Sequence, residues 1–216
     1  MGKTVFGSLF TIMSVDLRSG NVRDMVKTFK FISTITKELK LPYAVAGAVA
    51  LSMYAKPRNT EDVDVIVFKS DKKKLLNYFD EKGIVYDNAD RYQVTVKAQK
   101  GITDIDILFG FAGPEVYAID SAVTMKIAGI PLRVISPEAL LWMYLSSDLA
   151  KHKVDAINLL RSGKVNTWKL INELEDEDPF LIDILKEWVA EANKVESSYD
   201  DAIYAREKRL GRVIEK

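Results

Sequence analysis

Apolar residues at helical spacing open the chain's first long pattern: Met25, Val26, Phe29, Ile32, Ile35 and Leu39 recur three and four apart, with Lys27, Lys30, Lys37 and Lys40 mostly on the opposite side of the wheel. The spacing predicts an amphipathic helix from about Val22 that Pro42 ends. Tyr43 to Ala46 then reads as a short buried strand, and Gly47 turns the chain into a helix of small residues running to about Ala55, before Pro57. Val63 to Phe68, β-branched and aromatic, is a strand. Leu75, Leu76 and Phe79 share one face of a helix that Asp71 caps and that ends near Gly83. Further strands are expected around Ile84 to Tyr86, Tyr92 to Val96, Ile102 to Phe109, Val123 to Ile127 and Leu132 to Ile135. Phe109 to Pro114 reads as a flexible loop.

Beyond residue 135 the pattern changes to helices alone. Ser136-Pro137-Glu138 gives an N-cap with proline at the first helical position, opening a helix over Ala139 to Leu149. Others follow around Asp155 to Gly163, Trp168 to Leu174 and Phe180 to Ala192, with Glu173 to Pro179 as an acidic connector. The expected architecture is therefore α/β (α+β): residues 1–135 as a mixed β-sheet flanked by helices, and residues 136–216 as an all-helical C-terminal portion.

Composition narrows the chemistry. Lysine plus arginine number 31 and aspartate plus glutamate 31, so no overall field draws the chain to nucleic acid or to an anionic membrane. With no cysteine and a single histidine, thiolate and multi-histidine metal sites are excluded, and any metal is oxygen-ligated. The apolar run in Lys3 to Met13 is too short and broken for a secretory leader, and no segment is long and apolar enough to cross a bilayer, so a cytoplasmic location without a membrane partner is expected.

Against this background two aspartates in an apolar strand need a cause. Side chains alternate along a strand, so Asp62 and Asp64 share one face while Val63, Val65 and Val67 take the other, the two carboxylates lying roughly 7 Å apart. Burying them without a partner costs several kcal/mol, so they require cations, strong donors or an open cleft. Asp104 and Asp106 repeat the pattern between Ile105 and Ile107. If the two strands are neighbours, three or four carboxylates converge on one cleft, where magnesium suits them together with water and substrate phosphates. Two divalent ions about 4 Å apart would stabilise the attacking and leaving oxygens of a phosphoryl displacement. Gly47 fits the same chemistry, because backbone amides at a helix start meet phosphate only where no side chain obstructs the approach.

Gly47-Ala48, Asp62-Val63-Asp64-Val65 and Asp106-Ile107-Leu108 together resemble the pattern of the nucleotidyltransferase fold superfamily: a glycine turn into a helix, an Asp-hydrophobic-Asp strand, then a third carboxylate on a later strand. Arg58-Asn59-Thr60-Glu61-Asp62-Val63-Asp64 also resembles the Arg-x-Thr-x-Asp-x-Asp form of its minimal and toxin–antitoxin-associated members. The similarity spans roughly Tyr43 to Ala156 and includes Lys151-His152-Lys153-Val154-Asp155, similar to the segment that opens a later helix in that group. The resemblance implies transfer of a nucleoside monophosphate from ATP or another nucleoside triphosphate to an acceptor hydroxyl on RNA, protein or a small molecule, assisted by Mg2+ or Mn2+. It implies that Asp62, Asp64 and Asp106 are catalytic metal ligands, with Asp104 a further candidate ligand, and that Gly47, Ala48, Lys56, Arg58 and Thr60 bind nucleotide.

Two rivals stand beside that expectation. Ala48 replaces the second glycine or serine of the pattern, and this favours an inactive binding module, such as one partner of a toxin–antitoxin-like pair. Phosphoester hydrolysis would use the same carboxylates with water as acceptor. His152, flanked by lysines, reads as a surface residue, the basic Lys72-Lys73-Lys74 as a solvated face, and Arg206, Lys208, Arg209 and Arg212 as part of a charged helix.

Overall fold

The computed structural model describes residues 21–87, 89–111 and 113–194. The N-terminal apolar stretch and the basic residues Arg206, Lys208, Arg209 and Arg212 lie outside them.

The amphipathic pattern at the start forms α1 (Asn21–Glu38), and β1 (Tyr43–Val45) follows with all three residues buried. Gly47 opens α2 (Gly47–Tyr54), and β2 (Asp62–Phe68) comes next. A 3-10 turn, Lys69–Asp71, runs straight into α3 (Lys72–Lys82). Asp71 therefore occupies the N-cap position in a right-handed helical conformation, and its side chain makes no capping hydrogen bond. Gly83 ends α3 in the left-handed region at φ 60°, as the sequence leads one to expect.

The strands β3 (Tyr86–Asp87), β4 (Gln93–Val96) and β5 (Asp104–Gly110) come next. The expected flexible loop after β5 is instead short, because α4 (Gly113–Asp120) starts at once. Pro114 and Glu115 occupy its first turn, where a missing N–H costs nothing and a carboxylate faces the positive helix end. The hairpin β6 (Val123–Ile127) and β7 (Ile130–Val134) then leads into α5 (Pro137–Leu145), whose Ser136 cap accepts the Ala139 N–H at 3.2 Å. Next come α6 (Ala150–Arg161), α7 (Thr167–Glu177) and α8 (181–194). The acidic stretch after Glu173 is mostly helical: Leu170 and Leu174 bury the inner face of α7, and its acids occupy the outer one.

The seven strands form one mixed sheet in the order β3-β4-β5-β2-β1-β7-β6. Its central pair, β2 and β5, is parallel, and β1 beside it runs antiparallel to β2 and parallel to β7. Alternation sends Val65, Val67, Ile105 and Ile107 to one face, where they meet Ile32 and Ile35 of α1 and Leu75 and Phe79 of α3. The opposite face carries the aspartates and receives α2, α4 and α5. One apolar cluster runs from the sheet into the helical portion. Trp142 of α5, 1% exposed, lies against the Tyr117 ring of α4 at 5.6 Å and donates Nε1–H to Asp178 Oδ2 at 2.9 Å, where α7 ends. Among the described residues no helix is long and apolar enough to cross a membrane.

Candidate active site

The parallel register of β2 and β5 sets Asp62 beside Asp104 and Asp64 beside Asp106. Because the pairing is in register, the alternation that puts each aspartate pair on one face puts all four on the same face. Asp62, Asp64 and Asp106 line one cleft of about 480 Å³. Thr60 Oγ donates to Asp62 Oδ1 at 2.6 Å, and Thr95 of β4 donates to Asp106 Oδ1 at 2.7 Å, so two of the three carboxylates are oriented by neighbouring hydroxyls.

Asp64 lies deepest, against the start of α2. Gly47 sits there at φ +56°, and a Cβ on it would collide with the Asp64 carboxylate, so both the backbone angle and the close approach call for glycine. Burial, then the charges of Asp62 and Asp106, push the Asp64 carboxyl up to about 6, and Lys151 and Arg58 offset only part of this. A cation placed among these oxygens would relieve both causes. The donor set is oxygen only. Among the described residues no three histidine or carboxylate side chains are drawn together as a ligand cluster. Magnesium nevertheless fits, since it is ordinarily held by one or two carboxylates with water and substrate phosphates.

The rest of the cleft comes from remote parts of the chain. Ala46 and Gly47 form the α2 end, Arg58 to Glu61 the rim before β2, and Leu108 of β5 the floor beyond Asp106. The far wall belongs to the helical portion: Leu140, Met143 and Tyr144 of α5, and Lys151 and His152 of α6. Lys151 and His152 belong to the segment that resembles a helix start of the superfamily, and His152, expected at the surface, is half-buried in the cleft wall. Nothing in the local pattern separates Tyr144 or Met143 from ordinary core residues.

Several expected site residues stand elsewhere. Asp104 does not line the cleft: its Oδ2 accepts from Lys97 Nζ at 2.7 Å and its Oδ1 from the Ala98 N–H at 2.5 Å, and the Lys97 hydrogen bond lowers its pKa. Ala48 is 2% exposed and packs inward, and Lys56 lines a neighbouring, more open hollow. Arg58 borders both spaces. Its Nε donates to Asp155 Oδ2 at 2.9 Å, while Asn158 Nδ2 donates to the Lys56 carbonyl at 2.7 Å, so α6 grips the loop before β2 at two points.

No family model matches the chain, and no curated protein does. Among solved structures the chain is similar to the lincosamide antibiotic adenylyltransferase LnuA bound to lincomycin, with 17% identity, 62% of this chain and 94% of that one covered, and a TM-score of 0.46. It is similar at 18% identity to ANT(2")-Ia in complex with adenylyl-2"-tobramycin, over 68% of this chain and 91% of that one, at a TM-score of 0.46. A nucleotidyltransferase-like protein from Paracoccidioides brasiliensis gives 18% identity over 71% and 86% of the two chains, again at 0.46. Neither substrate nor activity follows from likenesses at these values.

Proposed function

We propose that the chain is a magnesium-dependent nucleotidyltransferase, with Asp62, Asp64 and Asp106 as its catalytic carboxylates. The observation that carries this reading is the in-register pairing of Asp64 with Asp106 beside Asp62 in one cleft that begins at Gly47. Its raised pKa marks Asp64 as a carboxylate in want of a cation.

Asp62 and Asp64 would hold Mg2+ or Mn2+. The ion, when bound, supplies charge neutralisation at the phosphates and at the developing negative charge. Gly47 lines the cleft at the start of α2, whose first amides would meet a phosphate there. Lys151, exposed at the cleft, and the Arg58 guanidinium hold the triphosphate electrostatically, and Thr60 keeps Asp62 oriented. Asp106, with Oδ1 held by Thr95, turns its other oxygen to the acceptor hydroxyl and takes its proton. The acceptor oxygen then bonds to the α-phosphorus as the bond to pyrophosphate breaks.

Magnesium with a nucleoside triphosphate should raise the thermal midpoint, and Asp64→Asn should abolish the rise. Incubation with each of the four labelled triphosphates, together with cellular RNA and protein, identifies the acceptor. No midpoint shift with any triphosphate sinks the proposal. The inactive binding module is favoured by Ala48 alone, and it would capture its partner without metal and tolerate Asp62→Asn.

A further inference from the structure

The chain holds one histidine, and the structure places it in the carboxylate cleft rather than on an open surface. His152 is the third residue of α6 and is half-buried. Two neighbours fix its ring. Nδ1 lies 2.6 Å from Ser147 Oγ, and the imidazole packs on Tyr144 with ring centroids 5.2 Å apart and planes 37° apart. Tyr144 itself is buried, 3% exposed. The Nε2 atom has no hydrogen-bond partner among the described residues. The ring is thus tethered at Nδ1 and rests against Tyr144, and His152 lines the cleft.

The two sides of the cleft differ in chemistry. The sheet side carries Asp62, Asp64 and Asp106 with the glycine turn, an environment for phosphate and cation. The helical side carries Leu140, Met143, Tyr144 and His152, apolar and aromatic, with the cationic Lys151 beside them at the start of α6. Of the two rings there, Tyr144 is buried, so His152 is the ring a ligand can reach. We infer that His152 is the platform on which the nucleobase of the bound triphosphate stacks. Imidazole is among the rings on which bases stack, and stacking tolerates any base because each has a π-face. Burial and the adjacent Lys151 lower the His152 pKa, with Arg58 acting the same way and Asp155 opposing.

The inference rests on the nucleotidyltransferase reading, and one pair of probes separates the two. A single histidine gives one pair of ring resonances in proton NMR. At pH 7.5, magnesium with a nucleoside triphosphate should move both upfield, purines more than pyrimidines, whereas magnesium with inorganic tripolyphosphate should leave them in place. His152→Ala should weaken nucleoside triphosphate binding about tenfold and tripolyphosphate binding not at all, with His152→Phe restoring the loss. If the thermal midpoint rises with nucleotide while the resonances stay fixed, the inference is overturned and the reading of the cleft survives. Equal movement with tripolyphosphate also overturns it, because the ring would then be sensing phosphate. No midpoint rise with any triphosphate removes both.

Discussion

At Asp64, burial and like charge act in the same direction, and the consequence is a stability that depends on pH. An aspartate titrating near 3.8 when unfolded and about 6 when folded binds its proton more tightly in the native state. Between those values the native chain carries more protons than the unfolded one, so raising the pH through this window removes stability. Asp64→Asn abolishes the effect. In metal-free buffer we expect the variant to melt with the wild type at pH 4 and about 4 °C above it at pH 7, allowing for solvent at the cleft mouth. Magnesium with nucleotide should reverse the order at pH 7. Calorimetry of both proteins at the two pH values checks this, and a variant that melts below the wild type in metal-free buffer at pH 7 contradicts it. Asp64 was legible in the sequence because an ionised side chain between valines has few structural uses. Asp104 shows the limit of the same argument: alternation gives its face, but the Lys97 that meets its carboxylate stands just past the end of β4, outside any local pattern.

On the scale of elements, α6 joins the helical portion to the loop that leads into β2. Asp155 is 4% exposed and accepts from Arg58, whose own side chain is 37% exposed. Asp155→Ala leaves that guanidinium without its carboxylate, but solvent reaches it, so the cost falls below that of a fully buried pair. We expect about 2 kcal/mol, or about 6 °C in thermal midpoint. Nucleotide affinity should fall with it, because the loop from Lys56 to Glu61 loses one of its two ties to α6. A double-mutant cycle with Arg58→Met isolates the pair, and a coupling near zero would show that the loop is held by other contacts. Most elements followed from period and punctuation, as at α1, β2 and the Ser136 cap. Among those misread were α4, hidden because Gly113 and Pro114 resemble a loop, the end of α7, where acids on an exposed face resemble a connector, and the end of α5, expected at Leu149 and found at Leu145, with α6 starting already at Ala150.

Across the whole molecule, the sheet and the helices share one apolar cluster, and this bears on how the chain unfolds. Trp142, Trp168 and Trp188 all lie beyond the sheet, so their fluorescence follows the helical portion, whereas far-ultraviolet dichroism follows the whole chain. A common core predicts that the two signals change together in urea, with one midpoint and one slope. Separate midpoints would mean that the helical portion melts alone. The cleft was only half legible from sequence for the same reason: its carboxylates share two neighbouring strands, but its far wall is assembled from helices roughly 35 to 90 residues beyond them. The position of Trp142 has one more consequence. Its indole leans on Tyr117 at one side and is tied to Asp178 at the other, and Trp168 stands 76% in water. With Trp168→Phe in place, the emission of the remaining buried indoles becomes an optical gauge of the packing among α4, α5 and α7, readable without any attached dye.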